Sequence, residues 1–185
     1  MRSLPPEGAL SGFGRPGATE IRGRMARYKL PESVLVAIYT PEFDVLLLER
    51  TDFPGFWQSV TGSRASATEP LAATCSREVH EETGLLRPAG DFEDWNYCHS
   101  YPIYPQWRHR YAPEVTHNVE HLYGLPVAER YAPRLAPREH RRWQWLGWRQ
   151  AADVCFSWTN AQAIRLLARR AAADGGAGAA GRGSS

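Results

Sequence analysis

Glu78, Glu81 and Glu82 carry the chemistry that can be read first in this chain. They stand at i, i+3 and i+4, spacings that share one face of an α-helix. Three carboxylates on one face repel one another, and a cation bound between them relieves the repulsion. Hard divalent cations take oxygen ligands, and Mg²⁺ is usually held by one or two carboxylates together with substrate phosphates. The face therefore reads as a metal site, with a solvated acidic helix surface as the plain alternative. A further carboxylate, Glu69, and the cation Arg77 flank the trio.

A helix must hold these residues, and the sequence marks its ends. It is expected to start near Thr68 or Glu69, with Pro70 in the first turn and Gly84 as the stop. Leu71, Cys75 and Val79 recur as an apolar stripe, so one side of the helix packs on a sheet and the acids face a cleft. Residues 33–39 form a continuous aliphatic run, read as a buried strand. A turn over residues 40–44 returns the chain into a second strand at 45–50, and residues 56–62 form a shorter one. Further strands are expected at 97–104, 120–125 and 141–146, with a basic loop at 108–113 and an amphipathic helix at 160–170. Strands interrupted by one helix and closed by another predict the α/β class, a mixed sheet between helices.

The 185-residue chain, with a formal net charge of +2, suits one domain with a sizeable core. Nothing in its composition calls for nucleic acid or a membrane as partner. No apolar run approaches a membrane span, and the beginning lacks the apolar segment of a secretory signal. Cys75, Cys98 and Cys155 show no paired spacing, which points to reduced thiols and a cytoplasmic protein. Residues 1–27, rich in Gly, Pro and Arg, are expected to be a disordered extension, with Met25 an alternative start. Residues 28–170 are the folded domain. Residues 171–185 are expected to be a disordered Ala/Gly tail.

The stretch Arg77-Glu78-Val79-His80-Glu81-Glu82-Thr83-Gly84-Leu85 resembles the core of the Nudix box, Gx5Ex7REUxEExGU, where U is a bulky aliphatic residue. Glu69 stands at the matching distance from Arg77. Six residues separate Gly62 from Glu69, one more than the box has, and the extra residue falls in the loop ahead of the helix. The resemblance implies the Nudix α/β/α sandwich and Mg²⁺-dependent hydrolysis of a polyphosphate substrate, with Mn²⁺ as the alternative ion. It implies Glu78 and Glu82 as metal ligands. Glu81 shares their face and is open to three roles: ligand, positioner of water, or base. Arg77 orients the carboxylates by ion pairing, or pairs with Glu81 as a plain surface contact. Glu78, Glu81 and Arg77 are thus the catalytic candidates. Glu139 and Glu120 are the candidates for a further ligand from outside the box, with Glu139 preferred.

Residues 28–29, 56–63, 108–113 and 157–160 are similar to the folate-pathway branch of the same family. Its enzymes take pyrophosphate from 7,8-dihydroneopterin triphosphate and leave the monophosphate. By position this implies substrate contacts at Lys29, Arg50, Thr61, Tyr101, Pro102, Ile103, Tyr104 and Ser157, with Glu139 as third metal ligand. Aromatic faces at Tyr101, Tyr104 and Trp57 suit a flat pterin, and Lys29, Arg50, Arg108 and Arg110 suit a triphosphate. Each has a plainer reading, Lys29 and Arg50 as surface charges and Ser157 as a helix N-cap. The alternatives in function are a nucleoside triphosphate or ADP-ribose pyrophosphatase and, from another class, a nucleotide-binding module that does not cleave.

Overall fold

The computed structural model describes residues 28–180, with side chains described through residue 170. The readings for residues 1–27 and 181–185 lie outside the described residues.

Strand β1 (Glu32–Tyr39) is the centre of the sheet. Its side chains are buried on both faces, which is why it reads as an unbroken aliphatic run rather than an alternating one. Val34, Val36 and Ile38 face one core with Cys75 and Val79. Leu35 and Ala37 face the other, with Ala151, Ala163, Ile164 and Leu167. Each large side chain buried this way contributes ~1.5–3 kcal/mol. Around β1 lie β2 (Asp44–Arg50), β3 (Trp57–Gln58), β4 (Val60–Ser63), β5 (Glu93–Pro102), β6 (His117–Pro126) and β7 (His140–Gly147). The order is β3-β2-β1-β6-β5, with β4 added on β1 and β7 on β2. The β1–β6 pair is parallel and the remaining pairs are antiparallel, so the sheet is mixed. Helix α1 (Leu71–Thr83) covers one face. Helices α2 (Trp148–Val154) and α3 (Trp158–Ala180) belong to the other. The α/β/α sandwich expected from the sequence is present.

Strands β1 and β2 pair only at Tyr39 and Val45, beside their turn. Beyond that point they part. β1 continues against β4, from Val36–Val60 to Ser33–Ser63, while β2 pairs with β3 and β7. The splayed end of the sheet is where the candidate site opens.

Five details differ from the sequence reading. The expected strand at 56–62 is two strands, because β3 pairs with β2 and β4 with β1; the chain crosses at Ser59, whose N–H donates to Asn160 Oδ1 at 2.7 Å. Helix α1 begins at Leu71, and Pro70 is its extended N-cap rather than a first-turn residue. Glu69 thus precedes the helix. Strand β5 runs from Glu93 and ends at Pro102, with an irregular register between Asp94 and Cys98. The short helix α2 was not expected, and the backbone of α3 stays helical to Ala180, into the Ala/Gly stretch.

Candidate active site

A cavity of about 890 Å³ opens at the splayed end of the sheet, a size usual for small-molecule sites. Helix α1 supplies its acidic wall. Gly84, at φ 72°, terminates that helix and donates its N–H to His80 O at 2.9 Å. The Cys75–Val79 side is buried in the core, and this fixes the rotation that turns Glu78 and Glu82 toward the cavity. Glu78 and Glu82 are 9% and 2% exposed, whereas Glu81 stands at the exposed rim. All three line the cavity.

Arg77 organises this wall. Its Nε and Nη2 reach the two carboxylate oxygens of Glu69 at 3.0 and 3.2 Å, and Nη1 donates to Glu78 Oε1 at 2.6 Å. Nη2 also bonds Ser63 O at 3.0 Å, and a longer 3.4 Å contact reaches Glu81. The planar fork of a guanidinium can hold several acceptors at fixed angles, so Arg77 orients the carboxylates, and the surface pair with Glu81 is its weakest contact. Glu69 in turn accepts the Ala65 N–H at 2.6 Å. The Arg77 hydrogen bond holds its carboxyl down to about 2. The loop carrying the extra residue is closed by Arg64, which bonds the carbonyls of Glu69 and Ala67 and pairs with Glu32.

Gly62 shows why a glycine stands in this loop strand. A Cβ placed there would lie 1.8 Å from Glu78 Cδ and 2.1 Å from Oε1. The Glu78 side chain lies directly on the Gly62 backbone, so Glu78 can keep this place only beside a residue with no side chain.

The electrostatics calls for a cation. Burial, then Glu78 and Glu139, push the Glu82 carboxyl well above the usual range, opposed by the Thr61 N–H. Burial also raises Glu78, with Arg77 opposing. Glu82, Glu139 and His140 each offer a ligand atom within 4.8 Å of one another. Glu82 Oε2 and both His140 ring nitrogens are buried without a hydrogen-bond partner. Burial, helped by Arg50, lowers His140 to about 4 and keeps it neutral, the form that binds a metal. This donor set fits a divalent cation. The loop residue Glu139 therefore does reach the helix face, and the neighbouring His140 joins it. Glu78 faces the same cavity but stands outside this close group, tied to Arg77.

The remaining expected residues are distributed as follows. Lys29, Arg50, Thr61, Tyr101, Ile103, Tyr104 and Ser157 all line the cavity. Lys29 is exposed at the cavity, and desolvation, then Arg110, lowers its pKa. Arg50 is held by Asp52 through two bonds of 2.9 and 2.7 Å and lies over the Trp107 ring at 5.2 Å. Ser157 accepts the Asn160 N–H at 3.2 Å, so it caps α3 while lining the cavity. Pro102 is a correction: it is exposed, pairs with His117 at the end of β5, and does not line the cavity. Trp57 is another, since its ring packs in the core with α2 and α3 and beneath Arg142. Arg108 bonds the carbonyls of Ala112 and Pro113 and shapes its own loop, leaving Arg110 as the cavity cation there. Glu120, the other candidate for a ligand from outside the box, is 3% exposed and lines the cavity but is not in the Glu82, Glu139 and His140 group.

Sequence reasoning missed His140, Asn118 and the aromatic wall of Phe53, Trp107 and Phe156. In that wall Tyr104 meets Trp107 at 5.5 Å and Phe156 at 5.6 Å. Only His140 had a usable signal, its place beside Glu139. The aromatics come from two loops and a short 3-10 helix, Pro105–Arg110, and share no spacing.

Residues 29–167 match the family model described as NUDIX domain. The chain is 38% identical over 144 residues to dihydroneopterin triphosphate diphosphatase of Haemophilus influenzae, covering 76% of this chain and 89% of that protein. It is 40% identical over 149 residues to the enzyme of the same name from Escherichia coli, covering 78% and 97%. The solved structure of the E. coli dihydroneopterin triphosphate pyrophosphohydrolase superposes with a TM-score of 0.69 over 75% of this chain and 95% of that one.

Proposed function

The chain belongs to the NUDIX domain family, and on that premise we propose that it is a Mg²⁺-dependent pyrophosphohydrolase converting 7,8-dihydroneopterin triphosphate to the monophosphate and pyrophosphate. The observation that carries this reading is 38–40% identity, across nearly the whole described domain, to two enzymes named for that reaction. The cavity supports it by setting buried carboxylates at one end and an aromatic wall at another.

Glu82, Glu139 and Glu78 would hold the ion, with His140 positioned to join them. An ion held there would supply charge neutralisation of the phosphates and a lowered pKa for an attacking water. Arg77 holds Glu78 in place. Glu81 is the least restrained of the three helix carboxylates and is the residue to take a proton from water. Lys29, Arg50 and Arg110 bind the triphosphate, Arg50 being aimed by Asp52. Thr61, Ile103 and Ser157 complete the walls. Tyr101 and Tyr104 face the ring. The hydrolase domain spans residues 28–170, and its partner is a free small molecule rather than nucleic acid. No helix among the described residues is long and apolar enough to cross a membrane, and the three cysteines are free, which suits work in the cytoplasm.

The test is a panel with Mg²⁺: dihydroneopterin triphosphate, GTP, ATP and ADP-ribose, scored for pyrophosphate against phosphate release. The pterin triphosphate should show the highest kcat/KM and release pyrophosphate. Turnover no faster than that of the nucleotides would replace this reading with a general nucleotide pyrophosphatase.

A further inference from the structure

We propose that Glu120 reads the substrate ring, its carboxylate accepting from the ring N–H and the adjacent 2-amino group of a 2-amino-4-oxopyrimidine edge. Pterins and guanine share that edge. The inference deepens the function proposed above and rests on it for the pterin, though not for the ring chemistry.

Glu120 lies on β6, where it pairs with Ser33 of β1, which pairs in turn with Ser63 of β4. Two strand spacings, ~10 Å, thus separate it from Ser63, whose carbonyl bonds the Arg77 that holds Glu78. Glu120 therefore lines the cavity across from the carboxylate end. It is 3% exposed, and Oε2 has no hydrogen-bond partner. Oε1 receives a long 3.4 Å bond from Tyr101, and the Thr159 hydroxyl also stands near this carboxyl. Asn118, 2% exposed and on the same wall, donates Nδ2 to Ser33 Oγ at 2.7 Å and to the Tyr101 hydroxyl at 3.1 Å. Its Oδ1 is left without a partner. His99 sits opposite Glu120 across the β5–β6 pair, but its Nε2 is also unpartnered.

Buried polar atoms without partners are costly and uncommon. Here the two that line this wall are both acceptors, so the ligand edge that completes them carries donors side by side. A ring N–H next to an amino group presents two parallel donors, the pattern a carboxylate accepts bidentately. Adenine sets its amino group beside an acceptor nitrogen, which would face a carboxylate oxygen lone pair to lone pair. Burial pushes the Glu120 carboxyl up to about 7, with the Thr159 and Tyr101 hydroxyls opposing; two N–H donors would restore its ionised form.

Two comparisons of kcat/KM, or of inhibition constants where turnover is slow, test the assignment. GTP is set against ITP, which lacks only the 2-amino group, and dihydroneopterin triphosphate against ATP. The wild-type protein should favour GTP over ITP by about tenfold or more, because a site built to hydrogen-bond an amino group rejects the analogue without it. Glu120→Gln replaces an acceptor with a donor at nearly constant size, and should move both ratios toward one through KM. Equal use of GTP and ITP by the wild-type protein overturns the assignment whether or not the variant folds. The same loss on all four ligands in Glu120→Gln also overturns it. A preference for GTP over the pterin, with the GTP-to-ITP ratio still dependent on Glu120, would refute the pterin reading and uphold the role of Glu120.

Discussion

Gly62→Ala isolates the position of one carboxylate. The added methyl carbon would sit 1.8 Å from Glu78 Cδ and 2.3 Å from Cγ. Carbon atoms in contact prefer ~3.5–4.0 Å, so one of the two groups must move by ~2 Å. The colliding atoms are the far end of a flexible side chain, whereas the β4 backbone is locked in register against β1 from Val36–Val60 to Ser33–Ser63. Glu78 is therefore the group that yields, breaking its 2.6 Å bond to Arg77. Stability should change little, by ~1 kcal/mol, since overpacking is relieved by rotation and alanine restricts the unfolded chain. That corresponds to a Tm shift of ~2–4 °C. Activity should fall ~10²-fold or more, because an ångström of misplacement at a reacting centre is worth that much. The assay is pyrophosphate release with Mg²⁺, run beside thermal unfolding of both proteins. A folded Gly62→Ala protein with kcat/KM within about threefold of wild type would refute the reasoning, for Glu78 would then not need its observed place.

Two further expectations follow from the same site and sheet. Glu82→Gln should lose turnover by ~10²-fold or more while remaining folded, and Mg²⁺ should raise the Tm of the wild-type protein over its chelated form but leave that of the variant unchanged; an equal Mg²⁺ shift in both would contradict the ligand assignment. Acid should weaken the fold through Glu49, whose carboxyl the Arg142 hydrogen bonds hold at about 2 against an ordinary 4.5. Its folded-state pKa is lowered, so its stabilisation is full above about pH 4.5 and is lost as pH falls toward 2. The covering Arg142 is itself on the surface, so salt should weaken the effect. A Glu49→Gln protein should show a shallower fall of Tm across that window, and an unchanged pH profile would exclude this pair as the cause.

Where the chain announced its structure, local chemistry sufficed. The aliphatic run of β1 reads as a strand buried on both faces because every position in it is apolar. The α1 helix reads from its Cys75–Val79 stripe and its Gly84 stop. The helix start was misplaced because Pro70 fits an N-cap as well as a first turn, and only the backbone conformation separates the two. The 56–62 stretch read as one strand because the break at Ser59 is made by Asn160, a hundred residues on in the chain. Pro102 and Trp57 were assigned to the cavity by position and type, yet which way a residue faces in β5 or β3 depends on pairing with β6 or β2.

The sequence alone determined the carboxylate register, Glu78, Glu81 and Glu82 on one helix with Arg77 beside them, because helical spacing is a local property. It also marked Glu69 and Gly62 without giving either a role. Tertiary structure decided those roles: Glu69 anchors Arg77, and Gly62 leaves room for Glu78. It likewise joined Glu139 and His140 to Glu82, assembled the aromatic wall from three separated connecting segments, and placed Glu120 in the cavity outside the Glu82 group. Each of these depends on how β1 and β2 part beyond their turn and on which strands fill the gap. Contacts between residues distant in the chain leave no periodicity to read, so only the folded sheet could place them.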